Sequence, residues 1–122
     1  MGFDAEFVIT LYFKHGNPYF IRNYEEVYDL SQIPKLPEEF YKYESLRGYS
    51  WKALLESSYH DNEYSPSTTE IPIGIIDPDY NNMCSNPNYA DGDFTEEDVQ
   101  HFAAFCDWVR KTGVEYTYKL SW

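Results

Sequence analysis

No lysine or arginine occurs between Lys52 and Arg110. That gap holds twelve of the acidic residues: Glu56, Asp61, Glu63, Glu70, Asp77, Asp79, Asp91, Asp93, Glu96, Glu97, Asp98 and Asp107. The two flanks together hold nine acids and nine bases, so the whole formal charge of −12 comes from the middle. With a pI near 4.4, the chain is not expected to hold a nucleic-acid backbone or an anionic bilayer by charge. A surface shaped only for solubility usually mixes the two signs. Segregation on this scale predicts a one-sign surface instead.

Other features are scarce. The two cysteines, Cys84 and Cys106, make no disulfide framework, and a reducing cytosol is the simpler setting. No apolar run reaches the length of a membrane span. The start Met1-Gly2-Phe3-Asp4-Ala5-Glu6 lacks the basic-then-apolar layout of a signal peptide and the Ser or Thr of a myristoylation signal. There is no Gly-rich phosphate loop. The expected location is cytoplasmic, in a bacterial host cytosol.

Aromatic residues, in contrast, are abundant: thirteen Tyr, eight Phe and three Trp, a fifth of the chain. A disordered acidic chain is poor in such residues, so residues 1–122 read as one folded domain of ordinary size.

Residues 3–14 alternate, with Phe3, Ala5, Phe7, Ile9, Leu11 and Phe13 on one face, which predicts a half-buried strand. His15-Gly16-Asn17-Pro18 predicts a turn, and Tyr19 to Arg22 a returning strand. Asn23, with Glu26 three residues on, predicts a capped short helix. Pro37 fits the first turn of a second helix ending at Gly48, and Ser50 a cap for a third running through Trp51, Leu54 and Leu55 to about Ser58. Residues from about 59 to 94 read as a long acidic loop region. It is interrupted by Ile71-Pro72-Ile73-Gly74-Ile75-Ile76, where Pro72 and Gly74 favour an edge strand. Thr95 predicts the N-cap of a helix over Glu96 to Thr112, with Gly113 as its left-handed stop. Its core stripe is Val99, Phe102, Ala103, Cys106 and Val109, with Glu97, His101, Ala104, Phe105 and Trp108 off that stripe. Residues 114–122 alternate again as a last strand, antiparallel to the first. The fold class is α+β: a small antiparallel sheet, N-terminal hairpin plus C-terminal strand, packed on one face by helices.

Conventional site motifs fit poorly. His60-Asp61-Asn62-Glu63 offers metal-binding residue types but no paired helical spacing, and a polar loop explains it more economically. Asp77-Pro78-Asp79-Tyr80-Asn81 opens like a calcium loop, then places Asn82 where Gly is needed and Asn88 where Glu is needed. Asp91-Gly92-Asp93 reads as a turn into the Thr95 cap. Ser57, Ser58, His60 and Asp61 are neighbours in sequence, which is no evidence for a triad. Pro78-Asp79 resembles the opening of a nuclease motif whose lysine is absent until Lys111. No catalytic residue, metal or cofactor is assigned, and the chain is read as a non-enzyme.

Carboxylates interleaved with tyrosine suit a basic protein, because arginine both pairs with carboxylates and stacks on rings. The partner-binding residues expected on that ground are Asp61, Glu63, Tyr64, Asp77, Asp79, Tyr80, Tyr89, Asp91, Asp93, Glu96, Glu97 and Trp108. The expected function is that of an acidic inhibitor that occludes a basic surface of a nuclease or nucleic-acid-binding effector. Phage anti-defence proteins, anti-CRISPRs among them, and toxin-immunity proteins are its natural settings. The alternative is a domain binding a small molecule or divalent metal around His60–Glu63 and Asp77–Asp93, conceivably an enzyme. A third reading is a scaffold subunit that self-associates through its aromatic side. The sequence leaves the oligomeric state open.

Met1-Gly2-Phe3-Asp4, with Arg22-Asn23-Tyr24 and Leu46-Arg47-Gly48, resembles a group of uncharacterised phage proteins that open Met-Gly-Cys-Asp and carry an Arg-Asn-Tyr. The shared residues number a handful over the first half; position 3 is Phe rather than Cys, and the His that usually follows is absent. The resemblance implies a viral or mobile-element origin and no activity.

Overall fold

The computed structural model describes residues 2–59 and 69–122. The chain is α+β, with two small antiparallel sheets. Strand β1 (Asp4–Ile9) lies between β5 (Ser45–Arg47) and β7 (Tyr116–Ser121), and β6 (Glu70–Pro72) closes the far side of β7. The pairing of β1 with β7 is antiparallel, Ala5 opposite Leu120 and Ile9 opposite Tyr116. β6 is an edge strand, as Pro72 requires: a residue without an N–H cannot serve a central strand.

Helix α3 (Glu96–Thr112) covers one face of this sheet. Its ends follow the expected chemistry. Thr95 Oγ1 accepts from Asp98 N and Asp98 Oδ2 accepts from Thr95 N, a reciprocal capping box. Gly113 stops the helix at φ 72°. A Cβ there would lie 2.1 Å from Asn23 Oδ1, so packing as well as backbone angle demands glycine. Val99, Phe102, Cys106 and Val109 are buried as expected, while Ala103 is half-buried. Phe105, placed off the core stripe by periodicity, is fully buried. A 3-10 turn over Glu38–Tyr43, which follows Pro37, lays Phe40 and Tyr43 across the helix. Phe40 meets Phe105 at 5.6 Å and Trp108 at 6.3 Å. Tyr43 donates to or accepts from His101 Nδ1 at 2.5 Å. Tyr118 reaches past the helix to donate to the Tyr43 carbonyl at 2.5 Å. Burial, then the charges of Asp98 and Cys106, push the Tyr43 phenol up to about 12.

The N-terminal region departs from the expected pattern in three places. The first strand does not run through to Lys14. It breaks at Thr10–Leu11, and β2 (Tyr12–Lys14) belongs to a second sheet of order β2-β3-β4, with β3 at Asn17–Arg22 and β4 at Glu25–Val27. The cause lies at Glu115, whose N–H donates to Ile21 while its carbonyl accepts from Thr10 N at 3.0 Å. One residue thus serves both sheets and turns the chain between them. Leu11 and Phe13 are exposed as a result rather than buried in the core. The second departure is the hairpin turn, which tightens to two residues, His15 (φ 52°) and Gly16 (φ 80°), with Lys14 paired to Asn17. The third is Asn23. It caps no helix but forms a second two-residue turn with Tyr24, at φ 51° and 69°, joining Arg22 to Glu25. Asparagine suits both roles, since its side chain tolerates left-handed backbone and also caps helices.

Two further helical expectations are revised. Residues 44–48 are not helical; they contain β5. Helix α1 (Tyr49–Glu56) starts from Gly48 as N-cap, so Ser50 lies inside it rather than capping it.

Candidate functional site

The described part of the acidic segment is anchored by apolar residues. Ile71, Ile73, Ile76 and Met83 are all fully buried. β6 is followed by a 3-10 turn (Ile73–Ile75) and a short helix α2 (Tyr80–Cys84), so this stretch is built rather than structureless. Asp77 N donates to the Ser58 carbonyl at 2.7 Å, and Arg110 Nη1 donates to the Ile76 carbonyl at 2.7 Å. These two bonds fix the backbone on either side of the Ile76–Asp77 peptide. Asp79 Oδ1 then caps α2 by accepting from Asn82 N at 3.1 Å.

This placement sets Asp77, Asp79 and Tyr80 opposite the first two turns of α3. Together with Glu96, Val99, Gln100 and Ala103 they line an open cleft of about 270 Å³. Among the described residues, no lysine or arginine lines it. Tyr80 is raised above the usual phenol range, first by a hydrogen bond with Cys84, then by the Cys84 charge and by burial. Glu96 also begins α3, where the helix dipole favours a carboxylate.

The expected site residues fall into three groups. Asp77, Asp79, Tyr80 and Glu96 come together in the cleft, and Glu97 and Asp91 are exposed nearby in sequence, on the first turn of α3 and on the turn before it. Asp93, Tyr89 and Trp108 are held by internal contacts. Asp93 Oδ2 accepts from Ser50 Oγ at 2.6 Å, and Ser50 Oγ in turn accepts from Ala90 N at 3.2 Å. The Tyr89 hydroxyl donates to the Phe94 carbonyl at 3.0 Å and accepts from Phe94 N. Trp108 is half-buried beside Phe40. Asp61, Glu63 and Tyr64, like His60, lie outside the described residues.

The remaining carboxylates of the segment divide by the same test. Glu56 accepts from the amides of Asn86 and Asn88, Asp98 serves the capping box and Asp107 pairs with Arg110. The carboxylates of Glu70, Asp77, Asp91, Glu96 and Glu97 make no hydrogen bond or ion pair among the described residues. Those five remain for solvent or a partner.

A second concavity, of about 500 Å³, lies where the two sheets meet. Tyr12, Pro72, Val109, Val114 and Tyr116 provide apolar walls, with Glu70, Arg110 and Glu115 at its margin. The Tyr12 hydroxyl donates to Glu115 Oε2 at 2.6 Å, and that bond leads the causes that raise the Tyr12 phenol.

Among the described residues, no group of three or more His, Cys, Asp or Glu could hold a metal ion. None of their helices is long and apolar enough to cross a membrane. Cys106 is buried, and desolvation, partly opposed by Arg110, pushes its thiol up to about 12; Cys84 is exposed.

Of the aromatic residues expected at the site, Tyr80, Tyr89 and Trp108 are half-buried, and the most exposed aromatic side chains among the described residues lie in other parts of the chain. Among the described residues the exposed large apolar side chains are Leu11, Tyr12, Phe13, Tyr24, Tyr28, Leu30, Tyr41, Tyr49 and Trp122, and none of these lies between residues 53 and 109. One sequence signal pointed to the hairpin: residues 7–24 contain no Asp or Glu, yet contain Lys14, His15 and Arg22. Comparison with family models, curated proteins and solved structures finds no match to this chain.

Proposed function

We propose that this protein is an acidic inhibitor that occludes a basic, nucleic-acid-binding surface of a nuclease or similar effector. The observation that carries this reading is the cleft of Asp77, Asp79, Tyr80 and Glu96, whose described lining residues include no lysine or arginine. Carboxylates stand there around a phenol, a pattern that arginine can both pair with and stack on. Exposed acids on the adjoining turns extend the negative field, which speeds encounter with a positive partner and weakens with salt. The setting is phage anti-defence, of the anti-CRISPR kind, or toxin immunity, in a bacterial cytosol.

The test is inhibition. Nucleases and basic toxins of candidate hosts are assayed for nucleic-acid cleavage with and without the protein. A quadruple variant, Asp77→Lys, Asp91→Lys, Glu96→Lys and Glu97→Lys, uses only carboxylates free of internal partners. Inhibition by the wild type that this variant loses supports the proposal; inhibition that the variant retains refutes the acidic surface as the interface.

The groove between the sheets favours a second reading, that of a small-molecule binder, since its volume falls in the usual range for ligand sites. A thermal-shift screen with metabolites, nucleotides and divalent ions addresses it. Saturable stabilisation of about 2–4 kcal/mol by one compound, lost on Tyr12→Ala, favours this reading.

A further inference from the structure

We infer that two copies of this chain pair through the free edge of β2, with a two-fold axis at Phe13. β2 is the outer strand of its sheet and pairs only with β3 among the described strands. An exposed apolar edge strand is a template for another strand. Phe13 is 69% exposed, and Leu11 just before it is also exposed. A phenylalanine left this open at a free strand edge marks an interaction surface more than a packing residue.

Charge selects the occupant. Each copy carries −12, so most approaches of one copy to another bring carboxylates together. Residues 7–24 are one acid-free stretch and hold Lys14 and Arg22. Lys14 pairs with Glu26 at 3.5 Å and the Tyr12 hydroxyl donates to Glu115, so this edge is close to neutral rather than acidic. The hairpin is therefore a part of the chain at which two copies meet without the repulsion that the acidic segment brings. Antiparallel pairing centred on Phe13 also matches side chains. It sets Phe13 opposite Phe13 of the second copy, and Tyr12 opposite Lys14 in both directions. Facing aromatics and a cation facing a ring are both favourable cross-strand pairs. Tyr12 already stacks on Tyr19 at 5.4 Å, and Tyr19 meets Tyr28 at 5.2 Å. The pairing would extend this ladder across the axis in a six-stranded sheet. The contact is isologous and closed, so it stops at a dimer.

The interface is small, so the dimer is weak and visible only at high concentration. Light scattering from about 5 µM to about 500 µM is expected to show mass rising from 14.5 kDa toward twice that value. Added salt screens the like charges and strengthens the dimer, opposite in sign to the salt effect on binding a basic partner. Phe13→Lys abolishes the rise and Phe13→Tyr retains it. Geometry is tested by cross-linking in a Cys84→Ser background. Phe13→Cys places the two thiols on the axis, where facing antiparallel residues are close enough for a disulfide. Leu30→Cys, also exposed, does not. Rapid oxidative dimerisation of the first variant and not the second supports the proposal. Monomer mass at every concentration and salt, a dimer that survives Phe13→Lys, or equal cross-linking at both positions overturns it.

Discussion

The acidic segment and the hairpin region use apolar and charged residues in opposite ways. Between residues 53 and 109 the described large apolar side chains are buried or half-buried, and most of the described carboxylates are exposed. Between residues 11 and 30 the balance reverses: six large apolar side chains are exposed, and the first half of the stretch has no acid. The first arrangement suits long-range attraction to a positive surface, the second short-range contact without repulsion. A molecule with both can bind two different surfaces without competition between them.

The comparison breaks if the aromatics of the two regions have the same energetic role. Phe105→Ala is expected to cost about 3–5 kcal/mol, the usual price of emptying a core aromatic site. Phe13→Ala should stay within about 0.5 kcal/mol. Chemical denaturation of both variants at low protein concentration decides this.

Alkaline pH probes the buried side of the contrast. Cys106 and Tyr43 are pushed up to about 12 because burial disfavours their charged forms. The unfolded chain loses these protons near 9 and 10, while the fold keeps them bound. Stability is therefore full below about pH 9 and falls as pH rises toward 12. Unfolding midpoints between pH 8 and 11 should decline, and less so in Cys106→Ala relative to its own value at pH 8.

Ser50→Ala sharpens the division among the acids. It removes the donor to Asp93 and the acceptor of Ala90 N, for an expected loss of about 1–3 kcal/mol. Glu96→Lys and Glu97→Lys, whose carboxylates have no internal partner, should cost only a few tenths of a kcal/mol each, through the helix dipole. One effect has the opposite sign. Tyr24 is fully exposed at φ 69°, so Tyr24→Gly should stabilise by up to about 1 kcal/mol.

What the sequence showed and hid follows from the range of each interaction. Helix α3 was legible to the residue, because Thr95, Asp98 and Gly113 act within one turn of its ends. The β1–β7 pairing and the β6 edge were legible from alternation and from Pro72. The break after Ile9 was not, since alternation continues unbroken through Phe13 and the cause sits a hundred residues away at Glu115. The burial of Phe105 depended on Phe40 and Tyr43 arriving from another element. Within the candidate site, composition alone singles out Asp77, Asp79 and Glu96, and only the tertiary fold brings them together. Asp93 and Tyr89 carried the same sequence signal, yet their polar atoms are engaged in holding the loop.

The ionic-strength dependence of affinity for an inhibited nuclease or toxin tests the central claim most directly. Binding should weaken by about tenfold or more between about 50 mM and about 500 mM salt. The slope should flatten in the quadruple variant of Asp77, Asp91, Glu96 and Glu97 to lysine. Affinity that is independent of salt, or unchanged by that variant, would contradict the assignment of the acidic surface as the binding face.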